Sequence, residues 1–127
     1  MPALNLHILI AIACGGAVGA SCRYLISVFT AKHFQLADIP LGTLIANVIG
    51  AFLMGVLMGL FEQRAEINDF WRPLLVTGFL GALTTFSSFS FEVLQLLERG
   101  QIVYAVSYVL VSAVLCVAMV WFGMQVV

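Results

Sequence analysis

Residues 81–92 read Gly-Ala-Leu-Thr-Thr-Phe-Ser-Ser-Phe-Ser-Phe-Glu. The nine positions from Thr84 to Glu92 hold five hydroxyl side chains, three Phe and one Glu. Apolar sequence flanks them, with Pro-Leu-Leu-Val-Thr-Gly-Phe-Leu at 73–80 and Val-Leu-Gln-Leu-Leu at 93–97. The whole stretch is long enough for a membrane span, which takes about 20 mostly apolar residues. Polar groups at membrane depth must be satisfied without water. A helix facing lipid has no use for so many hydroxyls, so this stretch is expected to line something polar inside a membrane protein.

The rest of the chain agrees. Its 127 residues are 63% hydrophobic and 9% charged, against about 25% charged in an average soluble domain. Four spans are expected, at about 4–29, 41–61, 73–97 and 102–127. The connections are short and hold most of the charge: Lys32, His33 and Asp38, then Glu62, Arg64, Glu66, Asp69 and Arg72, then Glu98 and Arg99. They leave no room for a soluble domain. The expected fold is therefore a single all-α integral membrane domain over residues 1–127, with four transmembrane helices per subunit. Pro40 and Pro73 suit the starts of the second and third spans, where a missing N–H costs nothing. The residues before the first span carry no Lys or Arg, so no signal peptide is expected. A net charge of −1 gives no sign of a nucleic-acid partner. Cys14, Cys22 and Cys116 all fall in spans, without CxxC spacing or a histidine cluster, and read as small apolar packing residues.

Four spans put both termini on one side, together with Arg64 and Arg72. The other side holds Lys32 and Arg99, with Arg23 near it. Positive residues fix orientation through an imbalance between the two sides, and here the counts are two against two or three. Insertion in both orientations and a weak bias to one stand about even. Dual insertion would permit an antiparallel homodimer, an isologous two-fold assembly with its axis in the membrane plane. Small-xxx-small spacings at Gly15, Gly16, Gly19 and Ala20, and at Ala51, Gly55 and Gly59, let helix backbones approach closely.

The remaining polar residues inside spans each carry two readings. Arg23 can snorkel or attract anions at a vestibule, with Asp38 or nearby carbonyls as structural partners. Asn47 offers two donors and an acceptor, either as interhelical glue or as a donor to an anion; Thr43 lies four residues earlier on its face. Gly78 and Gly81, followed by Thr84 and Thr85, point to a break near the middle of the third helix. Unwound carbonyls at such a break can coordinate a cation. Beyond it, about 100° per residue puts Thr85, Phe86, Ser88, Phe89 and Glu92 on one face. Phe rings have positive edges, which can stabilise an anion weakly enough for release. Glu92 can snorkel, pair with Arg99, line a vestibule or serve as a proton site. Tyr104, Tyr108 and Ser112 form one stripe of hydroxyls in the fourth span.

These residues resemble a known family, the small bacterial fluoride channels called Fluc or CrcB. Three blocks carry the similarity: Gly-Gly-Ala-Val-Gly-Ala-Ser-Cys-Arg-Tyr at 15–24, Pro-Leu-Gly-Thr-Leu-Ile-Ala-Asn-Val-Ile-Gly-Ala-Phe at 40–52, and Thr-Gly-Phe-Leu-Gly-Ala-Leu-Thr-Thr-Phe-Ser-Ser-Phe-Ser at 77–90. The resemblance implies a passive fluoride channel, multi-pass in a bacterial inner membrane, built as an antiparallel dual-topology homodimer with two pores. It implies that Phe86 and Phe89 match the paired pore phenylalanines and Asn47 the pore asparagine. Thr43, Ser87, Ser88, Glu92, Tyr108 and Ser112 fall where the family has polar pore residues, and Arg23 matches an arginine at the aqueous entrance. It also implies a structural sodium ion at the dimer interface, held by the Gly81 and Thr84 carbonyls of both subunits. At Cys116 another small polar residue can occur in the family. The rival reading is a dual-topology proton-coupled multidrug exporter, which wants an acid in the middle of the first span; residues 13–16 there are Ala-Cys-Gly-Gly. A non-transporting scaffold leaves the hydroxyls around Phe86 and Phe89 unexplained. No catalytic arrangement is present in the sequence, so no enzyme is expected.

Overall fold

A computed structural model describes residues 3–34 and 39–127; Asp38 lies outside the described residues. The described chain is helical, in the order α1 (Leu6–His33), α2 (Leu41–Gln63), a 3-10 turn (Ala65–Ile67), α3 (Asn68–Arg72), a wide π-helical segment (Pro73–Leu80), α4 (Gly81–Leu83), α5 (Phe86–Glu98) and α6 (Ile102–Val126). Four helical stretches are long and apolar enough to cross a membrane: Leu6–His33, Leu41–Gln63, Ala65–Glu98 and Ile102–Val126. The first helix starts two residues later than expected because Asn5 caps it, its side chain accepting from the His7 and Ile8 N–H groups, and it runs on to His33. Arg23 is consequently ten residues from the helix end, not six.

The spans pack as two parallel pairs. The first lies against the first half of the third: a Cβ on Gly15 would fall on the Leu74 carbonyl, one on Gly19 on the Phe79 carbonyl, and one on Gly78 would sit 2.6 Å from the Ile12 carbonyl. The second lies along the fourth: a Cβ on Gly55 would meet the Val120 carbonyl, and one on Gly123 the Phe52 carbonyl. At the end of that pair Gln63 Nε2 donates to the Val127 carbonyl (3.1 Å). The glycine stripes are therefore spent inside the subunit, where they bring backbones within van der Waals reach.

The third span changes partners. Its first half packs on α1, and α5 packs on α6. The change of direction falls at Thr84 and Thr85, both extended (φ −89°, ψ 150° and φ −150°, ψ 127°). The expected break is present but sits later than the glycines suggested. Gly81 keeps helical φ and ψ (−60°, −33°) and the helix runs to Leu83 before it opens. A half-turn later it restarts, with the Thr85 hydroxyl accepting from the Ser88 N–H (3.3 Å) as an N-cap. Gly100 (φ 75°) closes α5: Gln101 N–H donates to the Leu96 carbonyl and Gly100 N–H to that of Leu97, the Schellman pattern that favours glycine. A small core of Leu96, Ala105 and Tyr108, flanked by Phe89, Val93 and Leu44, ties α5 to α6 and α2.

Candidate functional site

The break would leave backbone groups unpaired at membrane depth, and Asn47 on α2 supplies the partners. The Thr85 N–H donates to Asn47 Oδ1 (2.9 Å), and Asn47 Nδ2 donates to the Thr85 carbonyl (3.2 Å). One side-chain amide thus stands in for a neighbouring peptide and clasps the unwound residue from both sides. In a continuous helix the Thr85 N–H would go to the Gly81 carbonyl. Thr84 turns its hydroxyl back to Leu80 (2.8 Å), so its polar atom is satisfied within its own helix.

A groove of about 520 Å³ opens beside the clasp, left open along one side. Its wall combines Asn47, Thr84, Thr85, Phe86, Phe89, Ser112 and Cys116 with apolar Gly50, Ala51, Met54 and Val109. The Phe86 and Phe89 rings lie 5.7 Å apart, tilted by 40°. Phe86 is 79% exposed and stands at the open side. Ser112 is buried on α6, and its hydroxyl has no hydrogen-bond partner. The groove is therefore a mostly apolar trough with a few directed donors, the usual make-up of a small-ligand site.

A second polar cluster lies beyond Phe89. Glu92 accepts two hydrogen bonds, from the Thr43 hydroxyl to Oε1 (2.6 Å) and from the Tyr108 hydroxyl to Oε2 (2.9 Å). Its carboxylate is held inside the subunit by these two donors. Glu92 and Thr43 also line a cleft of about 410 Å³ with Ser27, Thr30 and Phe34. The Phe89 and Tyr108 rings, 5.0 Å apart, form the partition between groove and cluster.

Of the residues singled out in the sequence, Asn47, Phe86, Phe89, Ser112 and Thr84 meet in the groove, and Thr43, Glu92 and Tyr108 meet beside it. Ser87 and Ser88 fall outside the groove wall; Ser87 Oγ lies 3.2 Å from Thr85 Oγ1, and Ser88 gives its N–H to the same oxygen. Arg23 is half-buried on α1 and does not line the groove within one subunit. Gly81 is exposed on the subunit surface. Two contributors escaped the sequence reading. The sequence puts Thr85 on a face but shows neither its backbone clasp nor its cap; a hydroxyl residue at the start of a helical run is a signal for the cap alone. Gly50, three residues after Asn47, gives Thr84 its space: a Cβ there would land on the Thr84 methyl.

These features define a class, a small four-span membrane protein with a broken helix and a polar-tipped trough against its surface. The family described as "CrcB-like protein, Camphor Resistance (CrcB)" matches residues 10–124, and the chain belongs to that family. It is 47% identical over 116 residues to the "Fluoride-specific ion channel FluC" of Shewanella amazonensis, covering 91% of this chain and 92% of that protein. The protein of the same description from Citrifermentans bemidjiense is 46% identical over 118 residues (93% and 94%). That from Vibrio parahaemolyticus is 42% identical over 114 residues (90% and 89%).

Proposed function

We propose that this chain is the subunit of a passive, fluoride-selective channel, and that two copies assemble antiparallel in a bacterial inner membrane to enclose two pores. The observation that carries this reading is the groove, in a chain that shares 47% identity with a fluoride-specific ion channel. One subunit supplies only one wall. Phe86, the most forward ring of that wall, is 79% exposed and needs a facing surface before any route is closed from lipid. A second copy inserted the other way round provides it by symmetry, and the near balance of positive residues permits both orientations.

Fluoride is small and strongly hydrated, so a pore must replace its water with donors. The Ser112 hydroxyl is unpartnered, the Asn47 amide has one N–H beyond the one given to Thr85, and the tilted Phe86 and Phe89 rings offer positive edges. None of these is a fixed cation, so the ion is coordinated without being trapped. The Thr43–Glu92–Tyr108 cluster lies next along the strip, with Ser87 and Ser88 at the start of α5 and Arg23 assigned to attract anions at the entrance. Driven outward by the membrane potential, each fluoride gains about 2.3 kcal/mol per 100 mV. Weak-acid entry of hydrogen fluoride and its dissociation at cytoplasmic pH make such an exit protective.

A structural sodium ion fits the donor set. The clasp diverts the Thr85 N–H from the Gly81 carbonyl, and Gly81 lies on the exposed surface. Oxygen donors of unwound backbone suit a hard cation. Two carbonyls from one chain make an incomplete shell, so the Gly81 and Thr84 carbonyls of both copies would hold the ion, which would tie the two breaks together by charge.

Liposome efflux tests the reading. With a potassium shunt, the expected result is electrogenic efflux of fluoride and little of chloride, falling at least tenfold in Phe86→Ile and Phe89→Ile. Equal fluoride and chloride efflux would overturn it. Drug-cation transport coupled to protons and abolished in Glu92→Gln would replace it with the exporter.

A further inference from the structure

The stripe of hydroxyls on α6 ends in a thiol. Ser112 and Cys116, one turn apart, both stand in the groove wall. Ser21, Thr30, Thr84 and Ser90 each donate their hydroxyl to the carbonyl four residues back, at distances of 2.7, 2.6, 2.8 and 2.8 Å. Such back-bonding is the common fate of hydroxyls in membrane helices. Ser112 departs from it: the residue is 7% exposed, and its Oγ is buried with no partner. Its donor is therefore not spent on its own helix, and the side chain stands in the groove wall. Cys116 is a free thiol, half-buried in the same wall, whereas Cys14 and Cys22 lie on α1 outside it.

We propose that Cys116 is a covalent modification site inside the groove, open to small neutral thiol-reactive electrophiles, and that its modification closes the route. This rests on the channel reading. The chemistry is attack of a thiolate on a thiosulfonate, analogous to thiol–disulfide exchange. The Cys116 thiol gives its proton to water, and the thiolate attacks the methylthio sulfur of methyl methanethiosulfonate. An S–S bond forms, the S–SO2 bond breaks, and methanesulfinate leaves with the electron pair. The cysteine is oxidised to the disulfide level and the sulfonyl sulfur is reduced. The added methylthio group removes the S–H donor and fills space beside Phe89 and Ser112. The mostly apolar wall favours small neutral reagents over large organic ions.

The test treats reconstituted full-length protein with methyl methanethiosulfonate, measures fluoride efflux against each sample's own untreated rate, and maps labelled cysteines by mass spectrometry. The expected result is a methylthio group on Cys116 and an efflux loss of at least tenfold, reversed by dithiothreitol. A Cys14→Ala/Cys22→Ala double variant should keep that sensitivity, and Cys116→Ser, with Cys116→Ala as a second form, should lose it. An unlabelled Cys116 beside labelled Cys14 or Cys22 would overturn the site. A labelled Cys116 with unchanged efflux would overturn its place on the route. Absence of selective fluoride efflux before treatment would count against the channel reading, and the labelling pattern would then decide the site alone.

Discussion

Asn47 shows how much one side chain does in this protein. Read from the sequence, its amide was either glue between helices or a donor to an anion. In the structure it is first a backbone substitute, accepting from the Thr85 N–H and donating to the Thr85 carbonyl. Asn47→Ala would leave two part-buried backbone groups without partners, at up to about 1–3 kcal/mol each. The expected outcome is a thermal unfolding midpoint lowered by several degrees in detergent and fluoride efflux reduced more than tenfold. An unchanged midpoint would show that the clasp does not hold the break. Glu92 carries a parallel lesson, since its carboxylate is shared between Thr43 and Tyr108. Tyr108→Phe removes one donor while keeping the ring contact with Phe89. It should slow efflux severalfold with little loss of stability, because the carboxylate retains Thr43; equal efflux in the variant would remove the cluster from the route.

The third span is the element on which the architecture turns. Density of hydroxyls and the glycines before them made a break legible. Its place did not follow from composition, because Gly78 and Gly81 serve close packing and helical backbone rather than unwinding. The helix opens at Thr84 and Thr85 since there α2 offers an amide to replace the lost bonds, and Gly50 leaves room for the Thr84 methyl. Gly50→Ala should therefore lower stability by about 1–3 kcal/mol, the usual range for overpacking. Thr84→Ser, which deletes the methyl and keeps the hydroxyl bonded to Leu80, should restore most of it. If the double variant is no more stable than Gly50→Ala, the steric account fails. At the other end of α5, Gly100→Ala should cost about 1 kcal/mol through its left-handed backbone without altering ion selectivity.

As a whole, the molecule is two parallel helix pairs cross-linked by a span that leaves one pair for the other, and it carries the groove open on its surface. A cysteine or epitope tag at the C-terminus should be reached from both sides of the membrane in roughly equal shares if the near balance of charge governs insertion. Labelling from a single side would rule out the antiparallel assembly while leaving the groove intact. The membrane class, four spans and a polar interruption in the third were legible in the sequence, because insertion depends on length and hydrophobicity along the chain, which are local properties. The resemblance of residues 77–90 to fluoride channels was legible for the same reason, as a contiguous string. Which glycines face which neighbour, where the helix opens, and which donors remain free could not be read there. Those depend on contacts between residues 38 positions apart, as for Asn47 and Thr85, or 49 apart, as for Thr43 and Glu92. A hydroxyl in a span can bond the carbonyl four residues back or face a cavity, and the local sequence does not decide between the two. Only the packing of α2, α5 and α6 assigns Thr84 to the first fate and Ser112 to the second.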